Sequence, residues 1–263
     1  LVRLGTVDLN GVLNVTENTV YVKSNIQTDL GFLETDIDLR NTQNIQNASY
    51  VGMLRGESFN MGRLLKVPKL KNITFNVRVN GAGVKAETLD TRVEGLISSA
   101  TYNNYTYRGI TVAGNLQNPN FDGRLTVRDP NANFTFDCLI DVSDEIHTYD
   151  FTAEIDHIDL GKLNFLQDTS AVLKGKVVMD MRGTNIDDTG GVIAFTEASF
   201  ENSNDLYEFQ DFVITSGFRR GIRTITMNSP DIISGQVSGV FKIGDLKALF
   251  QNAVGSLYTN YEP

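Results

Sequence analysis

The chain has 263 residues, is 41% hydrophobic and carries a formal net charge of −9. That length and apolar content are enough for a large buried core, in one or two domains. So acidic a chain lacks the cationic footprint that holds nucleic acid or an anionic membrane surface, and its single cysteine, Cys138, excludes an internal disulfide while leaving the redox compartment open.

The opening "LVRLGTVDLNG" already reads as strand and turn. No charged and then apolar leader precedes it, and no run approaches the ~20 apolar residues of a bilayer span. So abrupt a start reads as a piece of a longer protein, in which case targeting signals would lie elsewhere.

From there the dominant period is two. In "ITFNVRVN" (73–80), Ile73, Phe75, Val77 and Val79 share one face and Thr74, Asn76, Arg78 and Asn80 the other. "YRGITVAG" (107–114) aligns Ile110 and Val112. "FTFDCLIDV" (134–142) aligns Phe134, Phe136, Cys138, Ile140 and Val142, and "FTAEIDHI" (151–158) aligns Phe151, Ala153 and Ile155. "VVMDMRG" (177–183) aligns Val177, Met179 and Met181. Such alternation predicts strands with one apolar and one solvated face. Turn clusters such as "VNGAG" (79–83), "RDPN" (128–131) and "NIDDTGG" (185–191) separate them at short intervals. Many short strands so spaced predict an antiparallel all-β protein.

Helical signal is sparse. At the C-terminus, Leu246, Leu249, Phe250, Val254, Leu257 and Tyr258 follow helical spacing behind Asp245 as N-cap, predicting a helix over 246–258. Short helical segments are also expected near 62–66 and 161–166, where the chain departs from alternation.

These departures recur. "FNMGRLL" (59–65), "IDLGKLNFL" (158–166) and "FKIGDLKALF" (241–250) each place an apolar residue, Gly, a charged residue and Leu in order. Their glycines, Gly62, Gly161 and Gly244, lie 99 and 83 residues apart. Between them "YTYRGITVAG" from Tyr105 matches "YEFQDFVITSG" from Tyr207, 102 residues on, and Pro130 matches Pro230, 100 on. The chain reads as one all-β unit copied in series: a partial unit over about 1–61, then 62–160, then 161–263, the last having lost material before its closing motif. No Pro/Gly/Ser-rich or charged linker divides the copies, so 1–263 is expected to be one continuous body. In a serial repeat each unit covers its neighbour's edge.

Residues that could carry chemistry are few. His147 and His157 sit among Asp144, Glu145, Asp150, Glu154, Asp156 and Asp159, but no pair has a metal-ligand spacing. His157 has the parity of Ile155. Cys138, on an apolar face, is expected to behave as a small hydrophobe with a raised pKa. Asp187 and Asp188 lack calcium-loop spacing, and "NGAG" and "DTGG" do not form a phosphate loop. The sequons at Asn14, Asn47, Asn72, Asn104 and Asn133 arise readily in a chain this rich in Asn and Thr. Neither an enzyme nor a cofactor is expected.

The Gly-x-Leu closers, and above all the stretch from Tyr107 to Asn131 with "FDGRLTVRDPNANFTFDCLIDVSD" (121–144), resemble the TamB family of the AsmA-like superfamily in its Bacteroidetes form. The resemblance covers roughly residues 50–250. It implies a long periplasmic body anchored in the inner membrane, whose repeating sheet curls into an apolar groove. It also implies phospholipid or other acyl-chain cargo moving between the membranes, and for some members an Omp85-type barrel as assembly partner. The lining would be Phe75, Val77, Val79, Ile110, Val112, Phe134, Phe136, Ile155, Met179, Met181, Phe212 and Ile214. Periodicity alone favours a sandwich, in which a second sheet covers the apolar face. The alternative to the groove is thus an adhesin or surface protein of tandem β-sandwiches without lipid. The repeat, the missing linker and the resemblance favour the groove.

Overall fold

The computed structural model describes residues 4–243, apart from 84, 86, 87, 118, 119, 143, 144, 186, 231 and 232. The helix expected over 246–258 lies outside the described residues. Fifteen strands build the fold: β1 (Val7–Val15), β2 (Thr19–Thr28), β3 (Gly31–Arg40), β4 (Ser49–Asn60), β5 (Leu70–Ala82), β6 (Asp90–Tyr102), β7 (Tyr105–Gln117) and β8 (Asn120–Asp129), followed by β9 (Ala132–Asp141), β10 (His147–Asp159), β11 (Val172–Gly183), β12 (Gly190–Glu201), β13 (Leu206–Arg219), β14 (Ile222–Ser229) and β15 (Ile233–Gly239).

All fifteen belong to a single sheet, in which their order is their order in the chain. Every neighbouring pair is antiparallel. Short turns suffice for such a meander. Asn103 and Asn104, with φ of 50° and 64°, turn β6 into β7, and Arg220 and Gly221, with φ of 53° and 78°, turn β13 into β14. Positive φ at both central residues gives a turn whose twist matches the strands it joins.

The sandwich alternative required a second sheet, and none is present among the described residues. The buried apolar residues instead lie on one face of the one sheet, with Val77, Val79, Ile110, Val127, Cys138, Ala153 and Val177 all under 9% exposed. The other face carries cross-strand ion pairs, including Lys23–Asp36 at 3.4 Å and Arg124–Asp137 at 2.6 Å. In the latter pair, hydrogen bonding from Arg124 lowers the Asp137 pKa.

The sheet is curled. Leu9 of β1 and Phe121 of β8 line one cavity. On a flat sheet, seven strand spacings of about 4.8 Å would hold them roughly 34 Å apart.

Two of the repeated motifs end strands of the same polarity, β4 and β10. After β4 the chain forms α1 (Met61–Leu65), where a helix near 62–66 was expected. Asn60 caps it, its Oδ1 accepting from Arg63 N at 2.9 Å. After β10 the expected helix at 161–166 is instead a run of turns. Leu163 N donates to Asp159 O at 3.0 Å, but Phe165 N and Leu166 N then both turn back to Leu160 O, at 2.8 and 3.1 Å. Asn164, at φ 63°, leaves helical space and stops propagation. The motif glycines have a shared cause. A Cβ on Gly62 would stand 1.7 Å from Leu70 O, and one on Gly161 2.1 Å from Asp168 O, so only glycine lets the returning backbone so close.

A second correction concerns His157. The register of β10 shifts between Ile155 and Ile158. His157 pairs with Asn133 on the polar face, and Ile158 takes the inward position. Strict alternation cannot foresee a bulge.

Candidate binding groove

Strand register turns alternation into rows running across the sheet. One row passes through thirteen strands: Gly11, Ser24, Thr35, Leu54, Val77, Gly95, Val112, Leu125, Phe136, Ala153, Val177, Phe195 and Phe212. A neighbouring row runs Phe75, Ile97, Ile110, Val127, Phe134, Ile155. All twelve residues expected to line a groove stand on this face, with Met179 beside Ile193 and Ile214 in a further row, and Met181 beside Gly191.

They do not all line the same space. A trough of about 780 Å³ lies over β1–β8, and Phe75, Val77, Val79 and Val112 are in its wall. Ile110, Phe134, Phe136 and Ile155 belong to two tightly packed clusters farther along the sheet. Phe212 lines a second, aromatic cavity of about 350 Å³ over β11–β14. Met179, Met181 and Ile214 share the face but line neither cavity.

Sequence reading missed half of the trough. Leu9, Val22, Ile26, Ile37, Leu39 and Leu54, from β1–β4, line it as well. The signal was present in "VYVKSNIQ" and "FLETDIDL", but Ser24 and Thr35 interrupt the apolar parity. Those two hydroxyls face each other across the strands at 2.9 Å and satisfy one another. No charged side chain lines the trough.

The turn after β10 stands between the two cavities. Its Leu163, 1% exposed, packs inward on Ile110, Val127 and Ala132, while its Leu160 lines the aromatic cavity. Polar ties hold it. Asn103 Nδ2 donates to Asn164 O at 2.6 Å, and Asn164 Nδ2 donates to Asn103 O at 3.1 Å. Asp168 accepts from the N–H and hydroxyl of Ser203, at 3.0 and 2.8 Å, and from those of Ser170, at 2.9 and 2.7 Å. Those four donors hold its carboxyl well below the usual carboxylate range. Phe165 lies 6.4 Å from the Tyr102 ring.

At the opposite rim Arg223, 2% exposed, donates to Ser216 Oγ, Asp187 O and Thr189 O at 3.1, 3.1 and 2.6 Å, with its guanidinium 5.0 Å from the Phe218 ring centre. The chain beyond β15 arrives at this rim, where Ile243 N donates to Asp187 Oδ1 at 3.1 Å. The second unit contributes five described strands before its closing motif where the first has six, so its motif begins at the other end of the sheet.

Among the described residues no three His, Cys, Asp or Glu side chains are placed to hold a metal. Asp144, one of the acidic neighbours of the histidines, lies outside the described residues. His147 Nδ1 lies 3.3 Å from the Tyr149 hydroxyl. Cys138 is in the apolar row between Gly123 and Phe151, and burial pushes its thiol up to about 11. Because the folded value lies above the unfolded one of about 8.5, this group's contribution to stability is full below pH 8.5 and fades as pH rises toward 11. Iodoacetamide at pH 8 should therefore label Cys138 slowly in the folded chain and at least tenfold faster in urea, read by intact mass. Equal rates would show the thiol to be exposed.

No protein-family model matches the chain, and neither a curated protein nor a solved structure does.

Proposed function

We propose that the concave face shields lipid acyl chains, as one segment of a periplasm-spanning envelope protein that carries phospholipid from the inner to the outer membrane and/or assists outer-membrane protein assembly. The observation that carries this reading is the trough over β1–β8. It is open and no charged side chain lines it, on a sheet whose apolar face no second layer covers among the described residues. Apolar surface of that extent marks a binding surface. Each methylene removed from water there contributes about 0.8 kcal/mol, so a tail of a dozen carbons is held firmly by a wall with no directional contacts. A charged headgroup finds no partner inside and stays at the open mouth.

The envelope setting, the inner-membrane anchor on the parent chain and an Omp85-type barrel as partner rest on the resemblance of residues 50–250. Among the described residues no helix is long and apolar enough to cross a membrane.

Photo-crosslinking tests the reading. A benzophenone side chain at Phe75, in the trough wall, should capture phospholipid when the protein is expressed in a bacterial periplasm. The same probe at Leu96, 46% exposed on the opposite face, should not. Recovery of lipid from neither position, or equally from both, would defeat the proposal.

A further inference from the structure

The trough wall holds no charge, yet cations crowd one end of it. Between Glu57 and Glu87 the chain carries Arg63, Lys66, Lys69, Lys71, Arg78 and Lys85 but no Asp or Glu, although its net charge is −9. The first four lie in α1 and the return into β5, and all four are exposed. Arg63, Lys66 and Lys71 line one cavity of about 480 Å³. Met61 lines the trough, whereas Asn60 and Gly62 on either side of it line this cavity, so the two spaces meet at the start of α1.

The repeat shows that these cations are left without a counter-charge. The two closing motifs align residues 60–63 with 159–162. In each, the first residue holds the fourth by the same cap. Asn60 Oδ1 accepts from Arg63 N, and Asp159 Oδ1 from Lys162 N, both at 2.9 Å. The Asp159 carboxylate also pairs with Lys162 Nζ, at 2.8 Å. The Asn60 amide cannot do the same for Arg63. Past the second motif, residues 164–170 include no cation, where the first unit places Lys66, Lys69 and Lys71. Among the described residues no carboxylate lies within ion-pairing distance of these three or of Arg63. Lys71 Nζ donates to the neutral Asn104 Oδ1 at 2.7 Å, which leaves it two further protons to offer.

Like charges gathered on one cavity wall repel one another, and an anion relieves that repulsion. Phosphate suits this wall, since a guanidinium meets it with paired N–H groups and an ammonium as a point charge. We propose that this cavity is the headgroup subsite of the trough, taking the phosphate of an anionic phospholipid whose acyl chains lie along Met61, Ile73 and Phe75. The proposal rests on the acyl-chain reading and adds a preference to it. An anionic headgroup is favoured over a zwitterionic one, whose own cation already neutralises its phosphate.

Calorimetry on the full chain tests this with dihexanoyl phosphatidylglycerol and dihexanoyl phosphatidylcholine, soluble lipids with the same tails. The wild type should bind phosphatidylglycerol more tightly, by roughly tenfold for a few exposed contacts of modest strength each, and the margin should shrink as salt is raised. Arg63→Gln/Lys66→Gln should abolish the margin by weakening phosphatidylglycerol alone, with the melting temperature unchanged. Asn60→Asp, which gives the first motif the carboxylate of the second and keeps the cap, should narrow it. Lys174→Gln/Lys176→Gln, the same change of charge at another exposed pair, should leave it intact. Equal affinity of the wild type for both lipids, or equal effects of the two double variants, would overturn the headgroup subsite and leave the acyl-chain reading standing. Glycerol 3-phosphate binding as tightly as phosphatidylglycerol would make the cavity a site for soluble phosphate esters and overturn its role toward lipid. Binding of neither lipid would defeat the acyl-chain reading and the headgroup subsite with it.

Discussion

Leu163→Ala should destabilise the protein by about 2–5 kcal/mol, the range for truncating a fully buried leucine. Leu163 is 1% exposed although it belongs to a turn, because the turn lays it over Ile110, Val127 and Ala132. These come from β7, β8 and β9, while the turn follows β10. The side chain is therefore the apolar end of a strap across several strands, its polar end being the Asn103–Asn164 exchange and the Asp168–Ser203 contacts. Relaxation cannot refill the space, since the sheet backbone beneath is fixed by its ladders. Phe165→Ala is the control. That ring is 47% exposed and among the described residues its aromatic partner is Tyr102, so its loss should cost under about 1 kcal/mol. Urea titrations of both variants against wild type provide the comparison, with the slope reporting any change in the surface exposed. Equal costs for the two would show that the turn does not clamp the sheet.

Gly95→Val should be at least as damaging, by roughly 3 kcal/mol or more. Gly95 faces inward between Val77 and Val112. A Cβ there would come within 2.3 Å of Asn76 O and 2.6 Å of Val77 Cα, both backbone atoms of the paired strand. Valine, normally a good strand residue, can enter only by pushing β5 and β6 apart at the middle of the trough. The variant should melt well below wild type in circular dichroism. If it stays folded, it should also lose the lipid captured by a Phe75 probe. Val93→Ala, in the same strand and trough wall, should cost about 1–3 kcal/mol and retain lipid. A Gly95→Val chain as stable as wild type would contradict the close approach of these strands.

The sequence foretold the strands better than the way they sit together. Every stretch read as a strand, from 73–80 to 177–183, falls within or almost within one, and the twelve proposed lining residues share a face, because side-chain alternation is a local property. The missed features are nonlocal. Bulges reset parity, which is why His157 turned out opposite to its expected face. The paired hydroxyls of Ser24 and Thr35 concealed two apolar strands, since their mutual hydrogen bond exists only once β2 and β3 are side by side. The turn at 161–166 resembled a helix because its first hydrogen bond is helical; the left-handed Asn164 that ends it leaves no pattern in composition. Division of the face into a trough, a packed middle and an aromatic cavity depends on curl, and the close approach at inward glycines such as Gly95 appears only when the neighbouring carbonyl is located.

The strict sequential order of the strands has a kinetic consequence. Each strand finds its partner one turn away, so contact order is low and loop closure costs little at any step. Such a chain can zip up hairpin by hairpin as it emerges, each new strand using the last one as template, without waiting for a distant segment to arrive. The strap carrying Leu163 is the exception: it reaches back over three strands already laid down, and so can latch a finished block of β7–β10 before the next is added. The order in which the sheet is completed can thus match the order in which the chain is delivered.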